Sequence, residues 1–341
     1  MKAWLIRSYG GPAALELGEV SEPVLGTRDV LVEICAASVN PIDIRVSKGG
    51  LKALVKYRFP LIMGSDLAGV VTAVGPGVTR FVLGDAVYAR PNRLRIGCFA
   101  ERIAVHEDEV AVKPRSLSFE EAAAIPLVGL TSRQALIDMA GVQAGHKVLI
   151  HAGAGGVGTF AVQLAKHLGA YVATTASAPK HALLKSLGAD QVIDYRHQDF
   201  AQMLSGYDMV FDTQGGDTLL RSFGVLREGG IVVSVAGPPD IELTRDWPMP
   251  GYLKLAIRLI SWRVRHAAKR HGCRYRFMLM KPSGEQLTEI AALLDRGVIR
   301  PVIDRIVPFE QVKEAMAYAQ TGRATGKIVI SRGNASSRSP P

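Results

Sequence analysis

Cysteine is scarce in this chain: Cys35, Cys98 and Cys273 are the three among 341 residues, far apart and without CxxC spacing. They can build neither a disulfide framework nor a zinc ribbon, so a reducing, cytoplasmic compartment is the expectation. No uncharged apolar run approaches the ~18 residues of a membrane helix. Arg7 and Ser8 interrupt the apolar start, which argues against a secretory signal. Acid is the scarcer charge, 31 Asp and Glu against 41 Lys and Arg, for a formal +10. The excess is local. Arg245 to Arg276 holds nine Lys/Arg and one acid, Asp246, and the end of the chain adds Arg332 and Arg338, which leaves the remainder neutral. A chain basic throughout would suggest nucleic acid; one basic segment and a basic end do not.

What is present is ordinary globular material, 48% hydrophobic and 21% charged, at a length that suggests two domains. Residues 1 to about 122 read as β-rich, with short apolar strands at 30–34, 70–74, 86–88, 103–105 and 110–112 between Gly, Pro and Asp. From about 123 the pattern becomes strand, helix, strand: strands at 148–151, 171–176, 191–193, 209–212 and 230–235, helices at 156–168, 180–187 and 218–226. Continuous apolar strands separated by helices mean a parallel sheet covered on both faces. Helices at 284–296 and 310–321 and a strand at 327–331 close the chain, and 334–341 reads as disordered.

His151-Ala152-Gly153-Ala154-Gly155-Gly156-Val157-Gly158 contains G-x-G-x-x-G between an expected strand and an expected helix. That context turns a weak match into a dinucleotide loop. Gly153 is expected to allow the tight turn, Gly155 the approach of a pyrophosphate, and Gly158 the packing of helix on strand. Ala154, Gly156 and Val157 complete the cradle at the helix N-terminus. A glycine-rich turn without ligand is the plain alternative. Some twenty residues on, where an acid would hold a ribose 2′-hydroxyl, the chain reads Thr174-Thr175-Ala176-Ser177-Ala178-Pro179-Lys180, with no acid before Asp190. A hydroxyl and a cation suit a 2′-phosphate. Ser177 and Lys180, with Tyr195 from the next strand, are therefore the expected NADP(H) determinants.

Taken in order, several segments resemble the medium-chain dehydrogenase/reductase superfamily, in its zinc-free quinone oxidoreductase (zeta-crystallin-like) branch. They are Asn40-Pro41-Ile42-Asp43, the run from Phe59 to Gly69, Gly84-Asp85-Ala86-Val87-Tyr88, Gly97-Cys98-Phe99-Ala100-Glu101 and Ala122-Ala123-Ala124-Ile125-Pro126. The glycine loop, Leu187-Gly188-Ala189-Asp190 and Gly326-Lys327 complete the set. The resemblance implies a GroES-like, β-rich catalytic domain (1–122 and 282–341) and a Rossmann, doubly wound NADP-binding domain (123–281), with a basic helical insertion at about 240–276. Zinc-dependent members carry Cys at the position of Asn40 and His-Glu at Ser65-Asp66, so the resemblance implies no metal. Hydride transfer to a quinone or enone is then expected, with 2-enoyl thioester reduction or a non-catalytic NADPH-binding role as alternatives.

The resemblance also places Asn40 near the acceptor, where its amide could donate to a developing oxyanion. Arg45 stands where related reductases often have a tyrosine, and is a candidate for electrostatic stabilisation. Thr131, Ala236, Gly237 and Lys327 are expected near the cofactor. A homodimer joined through Rossmann edge strands is implied. In the basic segment, Lys254, Arg258, Arg265 and Lys269 form one face of an expected amphipathic helix, and Leu253, Ile257, Ile260, Val264 and Ala268 another. A solvated basic face, its apolar side capping the cleft or a subunit contact, is the favoured reading; contact with an anionic membrane is the alternative. Sparse aromatics in the segment argue against nucleic acid.

Overall fold

The computed structural model describes residues 1–52, 55–243 and 250–333. Arg245 and Asp246 of the basic segment, and residues 334–341 with Arg338, lie outside the described residues. The chain forms two compact units, Met1–Leu130 with Lys281–Pro341, and Thr131–Met280. The first division falls beyond the composition shift at 122. The physical reason is that helix Phe119–Ala123 still packs on the strands Asp29–Val39 and Asp66–Val74.

The strands in chain order are β1 (Lys2–Ile6), β2 (Glu16–Glu19), β3 (Asp29–Val39), β4 (Leu61–Ile62), β5 (Asp66–Val74), β6 (Ala86–Ala89), β7 (Arg102–His106) and β8 (Val110–Val112). There follow β9 (Lys147–Ile150), β10 (Tyr171–Ala176), β11 (Gln191–Asp194), β12 (Tyr207–Asp212), β13 (Leu226–Ser234) and β14 (Arg274–Phe277), then β15 (Ile303–Pro308) and β16 (Lys327–Ser331). Among the described residues the first unit holds a small sheet ordered β2-β1-β4 and a larger one ordered β15-β16-β3-β5-β6-β8, with β7 also on β3. Nine of the eleven residues of β3 are buried, seven of them apolar, as suits a strand with neighbours on both edges. Registers Ile328↔Val39 and Ser38↔Asp66 bring the start of β16, the end of β3 and the start of β5 to one end of that sheet.

The second unit is a sheet ordered β11-β10-β9-β12-β13-β14, parallel at each pairing. This is the doubly wound order, with its switch point between β9 and β12. Runs such as Val148–Ile150 and Ile231–Val233 are buried on both faces, and helix Gly156–His167 packs on β9 and β10. β14 falls within the segment read from sequence as part of a helical insertion; it pairs in parallel with β13.

Candidate active site

In the first unit, sheet register gathers four buried charges and their hydrogen-bond partners. Gly326 holds φ 75°, and a Cβ there would meet the Val302 carbonyl oxygen at 2.1 Å, so a bare turn starts β16 and aims Lys327 inward. Lys327 is 5% exposed on a strand flanked by β15 and β3. Its ammonium donates to Asp66 Oδ2 at 3.2 Å, to the Val39 carbonyl at 3.3 Å and to Asn40 Oδ1. Asp66 Oδ2 also accepts from Ser38 Oγ and Asn40 Nδ2, both at 2.8 Å, while Oδ1 accepts the Leu127 N–H at 2.8 Å. Burial draws the Lys327 pKa down, and the Asp66 carboxylate opposes it.

Asn40 therefore differs from its expected role. Its amide is 1% exposed, with the oxygen taken by Lys327 and the nitrogen by Asp66 and the Ser38 carbonyl. Both ends are spent on the protein, so Asn40 bridges the ion pair instead of presenting a donor. Asp43 acts as the loop-fixing residue: it accepts the Asn40 N–H at 2.8 Å and the Ser65 hydroxyl at 2.5 Å, at the start of helix Pro41–Ser47. Full burial raises its pKa to about 6 against those two hydrogen bonds. Arg45, on the same helix, is exposed. Arg90 is the residue that sequence reading missed. It is buried, its Nη1 donates to the Pro91 carbonyl at 2.6 Å, and its Nε has no hydrogen-bond partner among the described residues. Burial lowers its pKa while Asp66 and Asp43 oppose that. The only sequence signal was a cation at a strand end before proline.

These donors do not fit zinc. The positions that would carry thiolate, imidazole and carboxylate carry an amide, a hydroxyl and one carboxylate. The lone pairs of Asn40 and Asp66 that could face a metal already hold an ammonium, and a second cation would meet it as like charge.

In the second unit the glycines separate by what surrounds them. A Cβ on Gly153 would meet Thr174 Oγ1 at 2.0 Å, and one on Gly158 would meet the Ala152 carbonyl oxygen at 2.4 Å. Both have internal reasons to be glycine. The tight turn itself belongs to Ala152, at φ 52°, which corrects the role expected of Gly153. Gly155 is different. It sits at φ −78°, ψ 172°, a conformation open to any residue, and a Cβ there meets only the Ala152 carbonyl at an ordinary 3.4 Å. Helix Gly156–His167 starts from Gly155 without a side-chain cap, so Gly156, Val157 and Gly158 present first-turn N–H groups. Ala154 is half-buried beside them.

His151, the polar end of an apolar strand, was also missed. Ser222 Oγ donates to the Thr218 carbonyl at 2.7 Å, so it accepts from His151 Nε2 at 3.0 Å. Thr175 Oγ1 accepts the Ala152 N–H at 3.1 Å and donates to His151 Nδ1 at 3.2 Å. Burial lowers the His151 pKa to about 4, so the neutral ring relays one hydrogen-bond polarity from the loop to helix Gly216–Ser222.

Ser177 and Lys180 share one turn after β10, closed by the Lys180 N–H on the Ser177 carbonyl at 2.9 Å. The β10–β11 register, Ala176↔Asp194, continues to set Ser177 beside Tyr195, which is 59% exposed. Arg196 lies 5.9 Å from the Tyr195 ring and adds a cation that the sequence reading did not include. Asp194 is the one acid at that strand end. His197 and the Arg196 N–H engage its carboxylate at 2.7 and 3.1 Å and hold its pKa low. Ala236 and Gly237 follow β13, their N–H groups on Ser234 Oγ at 3.2 and 2.7 Å. Ser234 Oγ donates to Asp212 Oδ2 at 2.5 Å. Thr131 is buried at the start of this unit.

Residues 26–115 match the alcohol dehydrogenase GroES-like domain and residues 187–330 the zinc-binding dehydrogenase family. The chain is 37% identical to the 2-methylene-furan-3-one reductase of Solanum lycopersicum, over 97% of this chain and 79% of that protein. It is 33% identical, over 97% and 79%, to the chloroplastic NADPH-dependent alkenal/one oxidoreductase of Arabidopsis thaliana. Its fold superposes on the quinone oxidoreductase from Coxiella burnetii with a TM-score of 0.84 at 34% identity, covering 97% of this chain and 99% of that one. The chain belongs to the medium-chain dehydrogenase/reductase superfamily, in its zinc-free, quinone oxidoreductase-like branch.

Proposed function

We propose that this chain is an NADPH-dependent, zinc-independent oxidoreductase that reduces quinones or activated alkenes. Gly155 carries the reading. Neither its backbone angles nor its neighbours require glycine, so the open space belongs to something outside the protein, beside uncapped N–H groups that favour an anion. Gly153, Ala154, Gly155, Gly156, Val157 and Gly158 would hold the pyrophosphate. Ser177, Lys180 and Tyr195, with Arg196, would hold the 2′-phosphate, a preference consistent with the NADPH-dependent relative. Ala236 and Gly237 close the C-terminal end of β13, where open α/β sheets take ligands, and Thr131 is included as a cofactor contact.

Bound NADPH would supply a hydride from the nicotinamide. The protein's own residues orient and exclude water. Lys327, Asp66 and Asn40 lock the ends of β16, β5 and β3 to one another, and Asp43 fixes the helix that follows. Such an arrangement supplies rigidity without a Lewis acid, which suits acceptors that are already electron-poor. Arg90 is the buried cation beside this cluster with a guanidinium N–H to spare, and we assign it, ahead of Asn40 and Arg45, to stabilise the acceptor's developing anion.

The reading includes a reducing compartment, supported by three cysteines that form no disulfide, and a homodimer through a Rossmann edge, for which β11 and β14 are the available edges. Among the described residues no helix is long and apolar enough to cross a membrane. Steady-state NADPH oxidation with 1,4-benzoquinone and simple enones, in the presence of chelator, tests the function. Turnover with either acceptor class is expected. NADPH binding without turnover on any acceptor contradicts catalysis, and turnover that needs added zinc contradicts the site.

A further inference from the structure

Helices Gly251–Ile260 and Trp262–Arg270 carry two apolar stripes. Ile257, Ser261, Val264 and Ala268 are buried at spacings of four, three and four, and Val264 and Ala268 join the core of the second unit. That stripe is what a helix needs to hold itself on its own protein. Ile260, expected with it, is exposed instead. On the other side stand Tyr252, Leu255, Leu259 and Trp262, at spacings of three, four and three and exposed by 72, 59, 69 and 59%. Single exposed apolar residues are ordinary; four in register make a ridge. The two helices abut at Ser261, whose N–H bonds the Ile257 carbonyl at 3.0 Å and whose carbonyl accepts the Arg265 N–H at 2.9 Å, so Trp262 follows directly on the exposed side chains of the first helix.

Charge identifies what covers it. Residues 250–276 contain eight Lys/Arg and no Asp or Glu. Arg258 and Lys269 flank the ridge on one side, Arg263 and Arg270 on the other, all exposed. Leucine, tyrosine and tryptophan at the centre with cations at the margins is the pattern of a helix lying in a lipid interface, apolar side chains at the acyl boundary and cations on headgroup phosphate. A second copy on the same patch would set cationic margins against each other. A nucleic acid offers the leucines no apolar partner.

We propose that this ridge docks the protein, peripherally, on an anionic lipid surface. The docking does not depend on the reductase reading, and a water-soluble quinone assay on the same preparation separates the two. The test is flotation of the full chain with phosphatidylcholine vesicles, with and without phosphatidylglycerol. The expected result is recovery with the anionic vesicles only, falling roughly tenfold in molar salt. Leu255→Asp with Leu259→Asp, and separately Arg258→Glu with Lys269→Glu, should each abolish flotation while NADPH oxidation with 1,4-benzoquinone and the thermal midpoint stay as in wild type. Equal recovery on neutral vesicles, no recovery on either, or flotation surviving both pairs overturns the proposal. So does a dimer, seen by sedimentation without lipid, that the leucine pair dissociates.

Discussion

The two units handle polarity in opposite ways. Around Lys327 the first unit buries whole charges and satisfies them with one another, the Arg90 Nε excepted, until the Asn40 amide has no donor left to offer. Around Gly155 the second unit engages its one nearby buried carboxylate, Asp212, with Ser234 and the Gly215 N–H and leaves main-chain N–H groups at the helix start bare. A site built from mutually satisfied side chains is rigid but closed. A site built from missing side chains is open to an anion. The contrast separates residues that make the fold from residues that meet a ligand, and it shows that motif residues can belong to either class.

The comparison is broken most severely at Lys327. Lys327→Met would strand the buried Asp66 carboxylate, and a loss of about 3 to 5 kcal/mol is expected in urea unfolding. A loss below about 1 kcal/mol would mean that the ion pair does not organise the first unit.

Acid should then act on the two units in opposite directions. The folded pKa of Asp43, about 6, lies above the unfolded carboxylate value of about 3.9. Its contribution is thus present below pH ~4 and lost as pH rises through about 6. His151, at about 4 when folded, lies below the unfolded value of about 6.5. Its contribution is present above that value and lost as pH falls through about 4. Between pH 4 and 7, wild type should lose about 2 kcal/mol relative to Asp43→Asn, whereas His151→Gln should be the more acid-resistant protein by about 3 kcal/mol. Parallel pH profiles for wild type and both variants would contradict these assignments.

A smaller effect sharpens the second unit alone. Lys180→Ala should raise the KM for NADPH on the order of tenfold and leave that for NADH nearly unchanged, because one charge-assisted contact to a 2′-phosphate is lost. Equal changes for the two cofactors would remove Lys180 from the phosphate site, with Arg196→Ala as the next variant to measure.

Much of this was legible in the sequence because the repeated patterns are local. Apolar runs at 148–150 and 209–211 and the β-branched stretch at 172–176 fix strands, and Gly153 to Gly158 fix a loop between one strand and one helix. The side-chain cluster was not legible in the same way. Lys327 and Asn40 lie far apart in sequence, and only the register of β16, β3 and β5 shows that they consume each other's polar groups. Arg90 and His151 were missed because a buried polar residue at a strand end has no periodic signature. Glycine is the usual carrier of a tight turn, which points to Gly153, yet Ala152 takes the left-handed conformation, its N–H held by the Thr175 hydroxyl. In the basic segment, periodicity points to one amphipathic helix where the structure has two, and to most of the buried stripe, but helical spacing cannot tell which of two apolar stripes faces the protein.

Calorimetric titration of NADPH into wild type, Gly158→Ala and Gly155→Val tests the central claim most directly. Wild type should release heat on saturable binding. Gly158→Ala should lose both binding and about 1 to 3 kcal/mol of stability, since its Cβ meets backbone. Gly155→Val should stay folded, losing no more than about 1 kcal/mol as an N-cap residue, and show no detectable binding. A Gly155→Val protein that binds NADPH as tightly as wild type would contradict the account.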